Sequence, residues 1–384
     1  MPTKPRILHV IDHTDSGGAQ VQMADRMSDL KDQFEFSVAV LGRTGDFSAR
    51  YQQMGIPVVE LAKGRNRWNL DVFFSLLRLV KSEKPDIIYA HLFKSMILSS
   101  FAAFLTGSAC ILRDHSGLNR RSLQFYFPNL LVRSLFSLAF RLAIKLSDHV
   151  VVFNEIEMQD YTSEFNVPQA KLDFLPNSIN IVNLDSSQFK FDLRKELNLS
   201  EKTRIIIMVG RLAPEKDWPT FIEVAERFSD PQQYSFVAVG GGQLDASLRE
   251  LALDKGIKNF HFLGERKDVA SLLAQADAFL LTSKQESFGL VILEAMAAGC
   301  PVISSRTTGA ISIIEHGHTG YLVDIGDVDG FTSALKTILS DTKLAKDLVK
   351  NARLSLGEYS PQKVSEKLAK IFNKVLLDRG MNKS

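Results

Sequence analysis

The sequence is short of the residues that mark several protein classes. Cysteine occurs twice among 384 residues, as Cys110 and Cys300, each inside an apolar run. Neither has the paired spacing of a zinc site or a redox motif, so both read as buried free thiols of a reducing, cytoplasmic compartment. An excess of charge of one sign is also missing. The 46 basic and 44 acidic residues leave a formal charge of +2, without the strongly basic stripe of a nucleic-acid-binding domain. No stretch reaches the ~18 uninterrupted apolar residues that span a bilayer. The first apolar run, residues 7–11, is too short for the core of a secretion signal. There is no low-complexity tract, no short internal repeat and no G-x-G-x-x-G. The last absence counts against a nicotinamide dehydrogenase.

What is present is alternation. Residues 6–12, 36–41, 58–61, 86–91, 109–114 and 149–153 read as strands, with helical patterns at 71–81, 94–106 and 155–165 among those between them. A break follows at Leu175-Pro176-Asn177, and a polar, mixed segment runs to about residue 203. The pattern then restarts, with strands at 204–209, 235–239, 259–263, 278–281, 302–304 and 320–323. Helical patterns lie at 218–228, 244–255, 269–274 and 290–298. A chain of this length exceeds one ordinary core. Strands separated by helices make parallel sheets with right-handed crossovers. The expected fold class is therefore α/β, with two Rossmann-like, doubly wound parallel-sheet domains facing a central cleft. The expected boundaries are 1–176 for the first domain, 177–203 for a linker, 204–358 for the second domain and 359–384 for a final helix. Ligands of such sheets sit at the carboxyl ends of the strands, so the motifs should follow strands.

They do. Gly17 and Gly18 follow the first strand and open a helix, where backbone N–H groups favour an anion. Gly210-Arg211 and Lys216 follow the first strand of the second half. Arg211 and Lys216 set two cations five positions apart at the mouth of the sheet, as a diphosphate leaving group needs. Gly240-Gly241-Gly242 follow the next strand and allow close backbone approach or simple turn flexibility. The most informative string runs from Ser283 to Ile303. Glu286 lies in a loop, and Gly289 keeps the backbone open before a helix that begins near Leu290. Glu294 sits one turn into that helix, within reach of ribose hydroxyls. His91 and His115 each follow a strand in the first half.

Taken together, Gly210-Arg211-Leu212 with Pro214-Glu215-Lys216, Phe262-Leu263-Gly264, Glu286-x7-Glu294 and Glu294-Ala295-Met296-Ala297-x-Gly299-x-Pro301-Val302 resemble the retaining glycosyltransferases of family four, the glycosyl transferases group 1. The resemblance covers nearly the whole chain and is most specific in the C-terminal half. It implies a GT-B fold, a nucleotide-diphosphate sugar, UDP- or GDP-linked, as co-substrate, and neither a metal nor another cofactor. It implies that the first domain binds the acceptor and the second the donor. Arg211 and Lys216 would hold the diphosphate, Glu294 the ribose and Glu286 the transferred sugar. Phe288, Gly289, Leu290 and Val291 would add backbone contacts, and Gly17, Gly18, Gly210 and Gly241 would line the donor site. His115 corresponds to a histidine near the reactive carbon. Leu175-Pro176-Asn177-Ser178-Ile179 resembles the family's Pro-Asn-Gly linker with Ser178 in place of glycine. The final helix would cross back onto the first domain. One departure stands out, because Ile311 and Ser312 replace a common Pro-Glu pair after Gly309.

The resemblance further implies a glycan or lipid-linked acceptor in bacterial surface-polysaccharide synthesis. Acceptor recognition would fall to loops near residues 14–20, 43–49, 64–69 and 113–128. Residues 116–146 carry Arg120, Arg121, Arg133, Arg141 and Lys145 and no acid, among many apolar residues. This pattern reads either as a core helix with surface charges or as a peripheral contact with anionic lipid at the inner face of the plasma membrane. Other readings of the chain are a nucleotide-sugar epimerase, a sugar phosphorylase and a non-catalytic nucleotide-sugar binding protein. The phosphorylase lacks a pyridoxal-phosphate signature, and a mere binder has less need of leaving-group cations.

Overall fold

The computed structural model describes residues 4–15, 17–45, 47–62, 70–115, 129–179 and 192–381. Residues 63–69, 116–128 and 180–191 lie outside the described residues. With them go Arg120 and Arg121, two of the expected acceptor loops in whole or large part, and the middle of the expected linker. The chain divides into two compact units, Met1–Ser178 with Pro361–Ser384, and Ile179–Ser360.

The first unit holds β1 (Arg6–Ile11), β2 (Glu35–Val40), β3 (Val58–Glu60), β4 (Ile87–His91), β5 (Ala109–Arg113), β6 (His149–Val152) and β7 (Leu172–Phe174). They form one sheet in the order β3-β2-β1-β4-β5-β6-β7, parallel throughout. Strands buried on both faces read as continuous apolar runs, and their side chains alternate between two cores. Leu8, Val10, Ile88, Ala90, Cys110 and Leu112 enter one core; Ile7, Ile11, Ile87, Tyr89 and Ile111 enter the other. The second core also takes Val364, Leu368, Phe372 and Val375 from the helix Pro361–Asp378, which packs on the helix Gly18–Leu30. That apolar stripe recurs at helical spacing.

The second unit holds β8 (Arg204–Val209), β9 (Tyr234–Val239), β10 (Phe260–Gly264), β11 (Ala278–Leu281), β12 (Val302–Ser305) and β13 (Tyr321–Val323). Their order is β10-β9-β8-β11-β12-β13, again all parallel. Trp218, Phe221, Phe236, Phe279 and Phe331 are its largest fully buried side chains. Each unit reverses its winding once, between β1 and β4 and between β8 and β11. Such a switch point opens a crevice at the carboxyl ends of the two strands.

The structure adds elements to the expected pattern. β7 is a three-residue edge strand. The helices Val328–Ser340 and Thr342–Ser355 follow β13.

Candidate active site

The switch point of the second unit gathers the motifs. β8 ends at Val209, and Gly210 to Lys216 turn over its carboxyl end. β11 ends at Leu281, and Thr282 to Gly289 do the same beside it. The two loops are tied by backbone bonds. Lys284 N–H donates to Glu215 O at 2.9 Å, and the Thr282 hydroxyl donates to Asp217 O at 2.9 Å. Buried Asp217 accepts from Lys284 Nζ at 2.7 Å, and Trp218 Nε1 donates to Arg211 O at 2.8 Å. This frame brings Lys216 Nζ onto the Glu286 carboxylate, joining residues 70 positions apart, with both side chains mostly buried. The stem of Lys216 lies over Gly210, 3.5 Å from the place a Cβ would occupy. Arg211 is not part of this pair. Its guanidinium is 78% exposed and holds Glu215 at 2.6 Å.

Gly289 caps the helix Leu290–Ala298 at φ +89°, in the left-handed region where a side chain is strained. The first-turn N–H groups of Leu290 and Val291 lie beyond the reach of helical carbonyls. The loop before them is pinned by Gly309, whose N–H donates to Glu286 O at 2.9 Å. Phe288 is buried. Glu294 is partly buried, and burial raises its carboxyl above the usual range. It has no hydrogen-bond or ionic partner among the described residues. Gly240 sits at φ +138°, where a Cβ would come within 1.9 Å of Gly210 O, so the two glycine loops touch backbone to backbone. Gly241 O accepts from Leu212 N–H at 2.8 Å.

At the Pro-Glu departure, Ile311 is exposed and the Ser312 hydroxyl donates to Gly309 O at 2.7 Å. Glu315 is exposed one helix end away. Among the described residues no group of three or more His, Cys, Asp or Glu side chains is placed to hold a metal.

In the first unit, Gly17 is exposed and extended, at φ −173°, just before the helix Gly18–Leu30. Its neighbour Ser16 lies outside the described residues. His115, after β5, has Nε2 3.0 Å from Nδ1 of His91, at the end of β4. His91 Nε2 is in turn 2.9 Å from Nδ1 of His9 in β1. His9 is absent from the sequence expectations. Its only signal is a polar ring inside the apolar run Ile7-Leu8-His9-Val10-Ile11. Burial lowers all three imidazoles, His9 to about 3 and the other two well below their ordinary value. Buried Arg113 donates to Val152 O and Leu175 O at 2.6 and 2.7 Å and lies over the Phe153 ring.

Residues 16–182 match the model of Glycosyltransferase Family 4, and residues 189–355 match that of Glycosyl transferases group 1. The UDP-Gal:alpha-D-GlcNAc-diphosphoundecaprenol alpha-1,3-galactosyltransferase of Escherichia coli is 30% identical over 290 residues, covering 73% of this chain and 72% of that one. An N,N'-diacetylbacillosaminyl-diphospho-undecaprenol alpha-1,3-N-acetylgalactosaminyltransferase of Campylobacter jejuni is 25% identical over 91% of this chain and 93% of its own. Among solved structures, Anabaena Alr3699/HepE in complex with UDP superposes with a TM-score of 0.82 at 21% identity, covering 96% of this chain and 100% of that one. The two sheets, their paired switch points and these matches establish a GT-B fold, and the chain belongs to the family-4, group 1 glycosyltransferases.

Proposed function

We propose that this glycosyltransferase moves a sugar from a nucleoside-diphosphate sugar to a hydroxyl of a lipid-linked glycan, with retention at the anomeric carbon and without a metal. The carrying observation is the group at the β8/β11 switch point. It pairs Lys216 with Glu286, and Glu294, one turn into the helix Leu290–Ala298, has no hydrogen-bond or ionic partner among the described residues. In this reading Lys216, Arg211 and the first-turn N–H groups of Leu290 and Val291 take the diphosphate. Glu294 accepts from the ribose hydroxyls. Lys216 exchanges Glu286 for phosphate when the donor binds, which frees Glu286 to accept from the sugar hydroxyls. The bond from the anomeric carbon to the phosphate oxygen then loosens, and its electron pair goes to the diphosphate. The acceptor oxygen bonds to the same face of that carbon, and its proton passes to the departing phosphate oxygen. Cations already in place stabilise the charge as it develops. The UDP in the Anabaena structure and the diphosphoundecaprenol-linked acceptors named for the two bacterial relatives support a uridine or related donor and a lipid-linked acceptor in surface-polysaccharide synthesis.

The test is transfer from UDP- and GDP-sugars to synthetic polyprenyl-diphosphate sugars in EDTA, with the product anomer read by proton NMR. Product of unchanged anomeric configuration supports the reading. Inversion, or transfer that requires an added divalent metal, overturns it.

A lipid-linked acceptor places the enzyme at a membrane surface, and one helix supports a peripheral contact. No described helix is long and apolar enough to cross a membrane. The helix Leu130–Leu146 is nevertheless apolar on two faces. Phe140, Ala143 and Ile144 are buried, whereas Leu131, Leu135, Leu138 and Leu142 are 70, 59, 67 and 41% exposed. The helix also carries Arg133, Lys145 and Arg141, the last holding Glu164 O at 2.7 Å, and it carries no acid. Exposed leucines at helical spacing mark a contact surface rather than a core face. The helix cations favour an anionic bilayer over a second copy bearing the same charges. Co-sedimentation with anionic vesicles at low salt, weakened at high salt, is the expected result. No binding at low salt overturns the contact, as does a concentration-dependent dimer that buries this face.

A further inference from the structure

The row His9–His91–His115 runs from the interior of the first sheet to its carboxyl edge, assembled by the strand order β1-β4-β5. His9 and His91 are 1 and 3% exposed, and their rings stack with centroids 5.1 Å apart. Burying two imidazoles among isoleucine, leucine and valine costs desolvation that an apolar pair would not. Packing therefore does not account for them. A neutral imidazole has one N–H and one bare nitrogen. In a row where each ring bonds to the next, the N–H groups must all point the same way. Fixing the proton at one end fixes it at the other.

The inner end is Nε2 of His9, which is buried without a partner among the described residues. His9, His91 and His115 line a cavity of about 20 Å³ together with Arg26, Arg113 and Tyr89. That volume has room for one water. Guanidinium groups only donate. A water that accepts from Arg26 or Arg113 has an O–H left for His9. An orphaned N–H is also rarer in protein interiors than an underused acceptor. Both points leave His9 Nε2 bare and put the proton on Nδ1. His9 Nδ1–H then donates to His91 Nε2, and His91 Nδ1–H donates to His115 Nε2.

We infer that His9 and His91 are positioning residues whose directed hydrogen bonds fix His115 as the Nδ1–H tautomer, so that His115 presents an N–H donor to a substrate oxygen at the carboxyl edge of the first sheet. The inference rests on the reading of His115 as a substrate-contacting residue, and its test separates the two. Ring-¹⁵N-labelled histidine reports the tautomer of each of the eight histidines without turnover. The expected wild-type result is a proton on Nδ1 of His115. His9→Phe keeps an aromatic ring and removes the donor. It should give mixed tautomers at His115 and lower kcat by ~10-fold, with KM for the nucleotide sugar changed by less than about twofold. His9→Asn places an amide N–H near the same point and should restore both readouts. A proton on Nε2 of His115 in the wild type overturns the inference even if no variant folds. An unchanged tautomer in folded His9→Phe also overturns it. The Nδ1–H tautomer in the wild type together with unchanged turnover in folded His115→Ala would instead sink the substrate role of His115 and leave the tautomer assignment standing.

Discussion

In the proposed mechanism the Lys216 ammonium takes charge that develops on the diphosphate, and removing it strands Glu286, whose carboxylate is mostly buried. Lys216→Ala should lower kcat by ~10²–10³-fold, measured with saturating donor; near-wild-type turnover would remove Lys216 from the mechanism. Glu294→Gln should act differently. It keeps the shape and removes the charge from a carboxylate that has no partner among the described residues, so it should weaken nucleoside-diphosphate binding by ~5–20-fold, read by calorimetry, with little change in thermal stability. A third residue gives a pH dependence. Glu157 is buried, and burial beside Asp114 pushes its carboxyl up to about 8. The folded chain therefore binds more protons than the unfolded one between the ordinary carboxylate range and about 8. Stability falls as pH rises through that window. Glu157→Gln, a neutral isostere, should flatten the fall and raise stability near pH 8 by ~1–3 kcal/mol, measured by urea unfolding at about pH 5 and 8. At this scale the sequence shows which residue types follow strands, and it singles out Lys216, Glu286, Glu294 and His115. It does not show that Lys216 grips Glu286 while Arg211 turns to Glu215, because loop geometry sets those partners. His9 escapes it because a lone polar ring in an apolar strand carries no signal until β4 and β5 are laid beside β1.

The helix Leu130–Leu146 behaves as two surfaces on one element. Its apolar residues number too many for one buried stripe, and the exposed set Leu131, Leu135, Leu138 and Leu142 recurs one to two turns apart. Leu135→Glu with Leu138→Glu should abolish vesicle binding and leave the melting temperature within about 2 °C, because exposed positions contribute little to the core. Loss of fold instead would show that the face is packed rather than open. The sequence pattern finds this helix but leaves two readings open, a core helix with surface charges or a lipid contact. The proposed lipid contact rests on the exposure of these leucines. Elsewhere β1, β8 and the helices Glu155–Phe165, Leu290–Ala298 and Pro361–Asp378 are legible, the last from its apolar stripe and Leu290–Ala298 from the glycines at its two ends. β7 is not, since it has three residues and a charged centre. Asp173 sits there because its carboxylate accepts from His149 Nε2 at 2.7 Å, a contact that exists only once β6 and β7 pair. The helix pair Val328–Ser340 and Thr342–Ser355 is different. Phe331, Leu335 and Ile338 give the first a clear buried stripe, so its presence could be read from periodicity alone.

Across the whole molecule, the chain builds the same winding twice, and each unit must be complete to be stable. The first unit borrows Val364, Leu368, Phe372 and Val375 from the far end of the sequence, where they close on Met27, Phe34 and Tyr89. Arg26 fastens the junction, donating to Pro361 O at 2.8 Å and Ser365 Oγ at 2.7 Å. Truncation before Pro361 should therefore unfold the first unit first, seen as loss of hydrogen-exchange protection in β1 and β4 while β8 and β11 stay protected. The two-unit plan follows from length and alternation, and the proposed donor role of the second unit rests on motifs at strand ends. The base, the sugar and the acceptor do not, because they depend on loops whose conformation no periodicity encodes. The central claim is a nucleoside-diphosphate site at the β8/β11 switch point. It is tested most directly by a thermal-shift titration of wild-type protein and Glu294→Gln with UDP, GDP and ADP in EDTA. The account predicts a saturable rise with one of the three in the wild type, and a much weaker rise in the variant. No rise with any of them in a folded protein, or an equal rise in both proteins, would contradict it.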